Sequence, residues 1–537
     1  MRNNERGIAL VLALFLMTAL SILGASLMFL SQTETYASMN YRMMSQSRYA
    51  AEAGIHSVAN YLLDQTKYAL PSTALNPSDP ITGIYDLTKS PVQLAANNQP
   101  VVLSWDPTKS NYPVAAVKTA FAAAAGGNLT AGNQNLSYKT TATLLTMQEF
   151  DSFDGTPSTI QTWSLVADGG LLNSTKVTVE VSALFETPKL PAYSMAAFAT
   201  DNNCGALQLN GNVGTDSYNS FALSGATTPP QDKFDGDVGT NGNMTVSGGS
   251  ASIFGNLYTP RIGVGSCTAG NITALTETGA VLKNQDGSDK NPQEAVHLPK
   301  AVKFPTPTTP PASSLPAVDL KNAADFLAAC GNLGYTVGDL NCIPDGVNKT
   351  VTLKAPPCCD ASGSPKSMPS VTIESSGKLI LVGNGPPAQR FDFNSIIEGG
   401  SGSVGAQVTS PTQGVLINIV GSDSSGTIDP PLDLQGGAGV APTAGCATCS
   451  AFDATILQFV YSGTGTIKMA GSSTSAASYY APNAHGDLKG GSDLYGAIVT
   501  KTLTETGNMG LHYDRRLQQD FWISGMPMTG TFSWKRF

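Results

Sequence analysis

The sequence predicts an α+β chain: one long N-terminal helix packs its outer half on an antiparallel sheet, and a large all-β region follows. Three observations carry this. The 23 residues from Ile8 to Leu30 hold no charge, and helical periodicity continues well past them. "KVTVEVSALF" (Lys176 to Phe185) alternates strictly, placing Val177, Val179, Val181, Ala183 and Phe185 on one face of a strand. Charged residues make up 13% of the chain, and Gly (55) and Pro (33) are abundant. The usual charged share is roughly 25%. Water-facing helices need Lys, Glu and Arg, so this composition argues for strands and turns beyond the first helix.

At 537 residues the chain exceeds one ordinary core. The texture divides it into a short leader (1–7), the long helix (8–65), a mixed region (66–190) and a β-rich region (191–537) with an insertion at about 300–370. A net charge of −9 without a basic stripe speaks against nucleic-acid binding.

At 1.5 Å per residue the uncharged run makes about 35 Å of helix, enough to cross a bilayer core of about 30 Å. A cleavable secretory segment is shorter, about 7–15 residues. Arg2 and Arg6 precede the run and the next basic residue is Arg42, which keeps the N-terminus cytoplasmic and sends the rest across. After Leu30 no proline appears until Pro71. Met39, Met43, Ala50, Gly54, Val58 and Leu62 recur at helical spacing, with Glu34, Arg42, Arg48 and Glu52 between them. A single helix from Ile8 to about Gln65 is a rod about 87 Å long.

A short basic leader, Gly7 at the junction, an uncharged run and then "YAAEAGI" (Tyr49 to Ile55) together resemble the N-terminus of PilX-type minor pilins of type IV pili. The resemblance covers about the first 65 residues. It implies cleavage by a prepilin peptidase between Gly7 and Ile8, with methylation of the new terminus, and retention of the apolar rod as filament core. Most pilins carry a glutamate at the fifth mature position, which here is Leu12. In the family that carboxylate is thought to meet the terminal amine of the subunit above. A carboxylate with no partner in an apolar core costs several kcal/mol, on the order of magnitude. Leu12 therefore fits a subunit at the filament tip, as in pseudopilins that lack the glutamate. A plain signal anchor is the alternative.

The stretch 66–130 reads as linker with one small-residue helix, "VAAVKTAFAAAAGG" (Val114 to Gly127), ended by its glycines. Strands follow at Leu136–Leu145, Gln161–Ala167 and Lys176–Phe185, with "ADGG" (Ala167 to Gly170) as the turn between the last two. The rod covers the sheet's apolar face, and Trp163 and Phe185 belong to that core. This is the pilin arrangement that the resemblance implies.

From about Pro191 short β-forming runs alternate with Gly, Asn, Asp and Ser: Phe234–Pro260, Gly414–Gly426, Ala454–Gly471 and Asp493–Tyr513. This favours a β-solenoid, with a sandwich as the alternative. "SYYAPNA" (Ser478 to Ala484) and "GAIVTKTL" (Gly496 to Leu503) are similar to a C-terminal region often found behind PilX-type N-termini. "KFPTPTTPPASSLPAVDL" (Lys303 to Leu320) cannot pair in a sheet and reads as an extended surface crossing. A short amphipathic helix follows within Val318–Gly334. Cys330, Cys342, Cys358 and Cys359 read as local staples.

Catalytic chemistry is hard to find. The four histidines sit in no HExxH and beside no cysteine pair of zinc spacing, and no GxSxG, phosphate loop or dinucleotide fingerprint occurs. "CATC" (Cys446 to Cys449) has redox spacing but lies in a Gly/Ala/Pro loop, which favours a structural disulfide. "EFDSFDG" (Glu149 to Gly155), "FDGDVG" (Phe234 to Gly239) and "NQDGSDKN" (Asn284 to Asn291) read as solvated turns, with calcium as the alternative; none has an EF-hand pattern. No other cofactor is expected.

The function expected is therefore a minor pilin held in the bacterial inner membrane by Ile8–Leu30, then assembled at the tip of a pilus or related filament on the cell surface. The partners expected are prepilin peptidase, other minor and major pilins, inner-membrane lipid and a surface or host ligand. Ala13, Ala19, Gly24 and Ala25 would let neighbouring helices approach closely. The alternative is a membrane-anchored surface β-solenoid that binds or processes carbohydrate, unrelated to pili.

Overall fold

The computed structural model describes residues 5–64, 67–68, 85–131, 134–151, 157–171, 176–225, 228–248, 251–307, 309–357, 366–385, 388–435, 442–443, 446, 448–470, 474–491, 493–519, 522–524 and 528–536. The chain forms two compact units. The first runs to Lys189 and is completed by Ser524–Phe537; the second is Leu190–Ile523.

In the first unit α1 is one helix, Glu5–Leu63, without a proline and without a break. Its outer part covers an antiparallel sheet built from β1 (Val102–Ser104), β2 (Gly126–Ala131), β3 (Gln134–Asp151), β4 (Pro157–Leu171) and β5 (Lys176–Pro191). Ala51, Ile55, Val58 and Leu62 of α1 meet Ala142, Leu144, Trp163, Leu165, Val179, Val181, Ala183 and Phe185 in one core. Burying each large aliphatic or aromatic side chain is worth about 1.5–3 kcal/mol. α2 (Ala115–Ala125) adds Val117 and Phe121 to this core.

One local expectation fails here for a packing reason. "ADGG" is not a turn: Gly169 and Gly170 lie inside β4, paired with Val177 and Lys176 of β5. A Cβ on Gly169 would collide with the Ser47 carbonyl oxygen and the Ala51 backbone nitrogen, so the glycine is clearance for the helix. α2 does end at its glycines, with Gly126 at the C-cap. Its backbone is extended and the chain passes directly into β2, where a Cβ on Gly127 would lie 2.6 Å from the Tyr138 hydroxyl.

The last strand, Met528–Arg536, pairs antiparallel with β5, and His56 of α1 stacks on Phe532 at 5.9 Å. The β-rich region is therefore not 191–537. Its chain leaves β5, builds the second unit and returns to the same sheet.

The second unit contains an 18-stranded open sheet in which every pair of strands runs parallel. The strands stand in register as stacked rungs. One ladder reads Leu320, Ile373, Glu398, Leu434, Met469, Leu488, Glu505, Leu209, Val246. A second reads Phe391, Ile417, Phe459, Tyr479, Ile498, Ala197, Val238, Leu257. Nearly all are buried, and they form one continuous core.

Both ladders jump in sequence at the same place. The rung formed by the strand Asp493–Asp514 is followed by the strands Ala197–Ala199 and Leu207–Tyr218. The chain thus begins in the middle of the stack, climbs to one end near His297, crosses to the other end near Val318, and climbs back to the middle. The crossing is the proline-rich stretch. It runs along the rungs in order: Val302 bonds Asn241, Phe304 packs on Phe198, Pro305 accepts from Tyr480, Thr309 meets Ser462 and Ser313 bonds Asn394. Asn241 and Asn394 grip it alike, each side-chain amide accepting from a strap N–H and donating to that residue's carbonyl at 2.8–2.9 Å.

The expected insertion at about 300–370 is instead part of this stack. Val318–Leu320 and Thr350–Leu353 pair in parallel with Val371–Ile373 and Lys378–Leu381. α3 (Ala323–Asn332) lies on this terminal rung, begun by an Asn322–Asp325 capping box and tied by the Cys330–Cys342 disulfide. Cys358 and Cys359 lie outside the described residues.

Candidate assembly interface

From Ile8 to Leu30 every described side chain of α1 faces outward, Leu30 with 56% and Phe15 with 75% of its surface exposed. The span's most apolar 18 residues have a mean hydropathy of 2.6, and no described residue buries them. The polar groups in it are satisfied internally: Thr18, Ser21 and Ser26 hydroxyls donate to the carbonyls of Leu14, Met17 and Ile22 at 2.8–3.1 Å. A helix with its hydroxyls tied back in this way offers lipid, or a neighbouring helix, an apolar surface with no unmet donor. Leu12 sits on it with 62% of its surface exposed. At Gly24 an added Cβ would meet nothing within 4 Å, so this face is open to close approach. Gly7 lies in the first turns of the helix, immediately before the span.

Burial starts at Ser47 and is complete for Ala50, Ala51 and Ile55. "YAAEAGI" is the segment where the rod meets the sheet. Its small residues set the approach: a Cβ on Gly54 would lie 2.6 Å from the Thr140 hydroxyl. Glu52 stays on the outer side, paired with Arg48 at 2.8 Å. Beyond it Ser57 donates to the Ala124 carbonyl and Tyr61 to that of Val117, locking the helix to α2. Sequence reasoning placed the helix but missed Gly169, the strand partner of this contact. A glycine pair inside an otherwise alternating strand was the available signal.

The other sites singled out in the sequence lie in the second unit or largely outside the described residues. Cys446 is bonded to Cys449, in a loop held by bonds between Gly225 and the backbone of Cys449 and Ala451. Cys204–Cys267 is a further disulfide. Of the acidic stretches, Glu149–Gly155 lies largely outside the described residues. The other two meet at one cleft, where the Lys290 ammonium donates to the Gly255 carbonyl and the Asn256 side-chain oxygen at 2.6 Å. Among the described residues no group of three His, Cys, Asp or Glu side chains could hold a metal ion.

Three titratable groups in the stack are far from their ordinary state. Glu505 is fully buried among Leu488 and Leu209 without a hydrogen-bond partner among the described residues, and burial pushes its carboxyl up to about 8. Glu398, in the same ladder, is also raised by burial although the Val404 N–H donates to it. Burial opposes the charged form of His512, yet the Asp216 and Asp493 carboxylates beside it prevail and lift it to about 9.

The family model described as PilX N-terminal matches residues 6–56, which is the apolar span together with the docking segment. The N-terminal segment is similar to PilX-type N-termini. The signature thus ends one residue past Ile55, within the buried contact with the sheet. A second family model, a domain of unknown function (DUF7305), matches residues 405–520, the part of the stack that leads up to and includes the rung Asp493–Asp514. A solved structure, the competence-associated pilin ComZ from Thermus thermophilus, aligns over 92% of this chain and 98% of its own at 12% identity. Its TM-score is 0.18, too low to carry a structural comparison. None of the curated proteins matches.

Proposed function

We propose that the chain is a minor pilin of a type IV pilus or related filament, with a structural rather than catalytic role. The observation that carries this is the division of α1: one half is docked on its own sheet by Gly54 and Gly169, the other is an apolar span that none of the described residues covers. In the inner membrane lipid covers it, with the N-terminus on the cytoplasmic side. Prepilin peptidase removes the residues before Ile8, and the span then exchanges lipid for the helices of other pilins. Ala13, Ala19, Gly24 and Ala25, spread around the helix, let those helices approach closely.

Placement at the tip is the reading that best accommodates two features. Leu12 brings no carboxylate to meet a subunit above, and the second unit is a bulky addition between β5 and the last strand of the first. Displayed there, the second unit would make contact with a surface ligand. Deleting the gene is expected to reduce or shorten pili, and the protein is expected in sheared filament preparations at low stoichiometry. Unchanged piliation together with absence from the filaments would contradict this function.

A further inference from the structure

The two acidic stretches Phe234–Gly239 and Asn284–Asn291 face one cleft of about 250 Å³ in the second unit. The stack itself builds it. Asp237 and Asn256 occupy the same corner on successive rungs, one residue before the paired Val238 and Leu257. Asp237 accepts from the Asn256 backbone N–H at 2.6 Å and its side-chain amide at 3.2 Å, which fixes both groups at the cleft wall. Phe234 and Phe254 supply half-buried aromatic rings; the Arg515 guanidinium lies 4.6 Å over the former and the Lys233 ammonium 5.4 Å over the latter. Asn284 and Gln285 also line it.

Charge narrows the ligand. Lys233, Lys283 and Lys290 are set against Asp235, Asp237 and, paired with Lys283, Asp289. The cleft is balanced and does not select an ion. A calcium ion is disfavoured further because Lys290 already occupies the Gly255 and Asn256 oxygens. What remains is the Gln285 amide, the Asp237 carboxylate and the aromatic rings, since the Asn256 amide is spent on Asp237 and Lys290 and that of Asn284 on Ser288 and Asp289. Hydroxyl groups donate and accept at once, and the C–H face of a pyranose ring packs on an aromatic ring; both requirements meet here. The volume is below the roughly 300–1,000 Å³ of drug-sized sites, which suits a single sugar unit with the rest of a glycan on the open surface.

We propose that this cleft binds a neutral saccharide unit, with Phe254 as the platform and Asp237 and Gln285 as hydroxyl partners. The proposal rests on the reading of the chain as a surface-displayed pilin. The test uses the full-length protein in a sugar-free zwitterionic detergent, with the methyl glycosides of glucose, galactose, mannose and N-acetylglucosamine as probes, followed by saturation-transfer NMR. Transfer to the ring protons of at least one glycoside is expected, lost in Phe254→Ala, weakened in the surface variant Gln285→Ala and unchanged by a calcium chelator. No transfer to any of the four, transfer that survives both substitutions, or transfer that requires calcium would overturn it. A protein that enters filaments but shows no transfer removes the saccharide site and leaves the pilin reading standing. One that shows the transfer but never enters filaments does the reverse.

Discussion

Gly169 of β4 lies directly beneath Ala51 of α1, so close that a methyl group on the glycine would overlap the helix backbone. Helix and sheet are in backbone contact at this point. Gly169→Val is therefore expected to push the rod off the sheet rather than be absorbed by a rotamer change. The destabilisation expected is about 1–3 kcal/mol, at the upper end because backbone on both sides must move. Thermal unfolding followed by circular dichroism in detergent measures it. A wild-type melting temperature for Gly169→Val would mean that the helix does not seat here.

The strap makes a second prediction. Asn394 is buried, and its side chain bonds both the Ser313 N–H and the Ser313 carbonyl. Asn394→Ala leaves two buried backbone groups unmet, at a cost of about 1–3 kcal/mol each before any rearrangement or water entry. Limited proteolysis should then cut within residues 303–313, and faster than in the parent protein. Asn241→Ala is expected to act in the same way near Val302. Equal cleavage rates in parent and variants would show that the strap is held by other means.

Stability should depend on pH through Glu505. Its folded-state pKa of about 8 lies above the unfolded value, so the folded state keeps a proton that the unfolded state has released. The stabilisation is complete below the ordinary carboxylate pKa and is lost as pH rises towards 8, by about 1.4 kcal/mol per pH unit. His512, lifted to about 9, adds a loss in the same direction between the ordinary histidine pKa and 9. Glu505→Gln is expected to flatten the profile, so its advantage over the parent widens between pH 5 and pH 8. Parallel profiles for parent and variant, measured by denaturant midpoint, would contradict the buried acid.

The Cys330–Cys342 bridge closes a short loop, with a sequence separation of 12, between α3 and the strand Cys342–Asp345 on the terminal rung. Replacing both cysteines by alanine is expected to destabilise this end by about 2–4 kcal/mol. Hydrogen exchange should then quicken in residues 318–353 before it does so in the rungs around Phe459 and Tyr479.

The long helix, the alternating strands of the first unit and the strand-and-turn texture after Pro191 were legible because each is a local pattern. Ile8–Leu30 announces itself by missing charge, and Val179, Val181 and Phe185 by period two. The parts that stayed hidden depend on distant partners. Gly169 and Gly170 look like a turn unless a helix more than a hundred residues earlier is known to lie above them. The join between the strand Asp493–Asp514 and the segment Ala197–Tyr218 leaves no local mark, and rungs of unequal length erase any repeat. The span from Glu398 to Leu434 even takes in an antiparallel hairpin, Ser422–Asp423 with Gly426–Thr427, whereas Leu488 reaches Glu505 directly. Of the candidate sites, the apolar span was fully legible. The cleft was visible only as two separate acidic stretches whose meeting the stack determines.

The most direct test of the account is the N-terminus of the protein recovered from membranes and from sheared filaments, in cells with and without prepilin peptidase. Intact mass and N-terminal sequencing should find a chain that starts at Ile8 with a methylated amine, and only where the peptidase is present. A chain that starts beyond Leu30, or one whose N-terminus is the same in both strains, would contradict the retention of this helix as a filament-forming element.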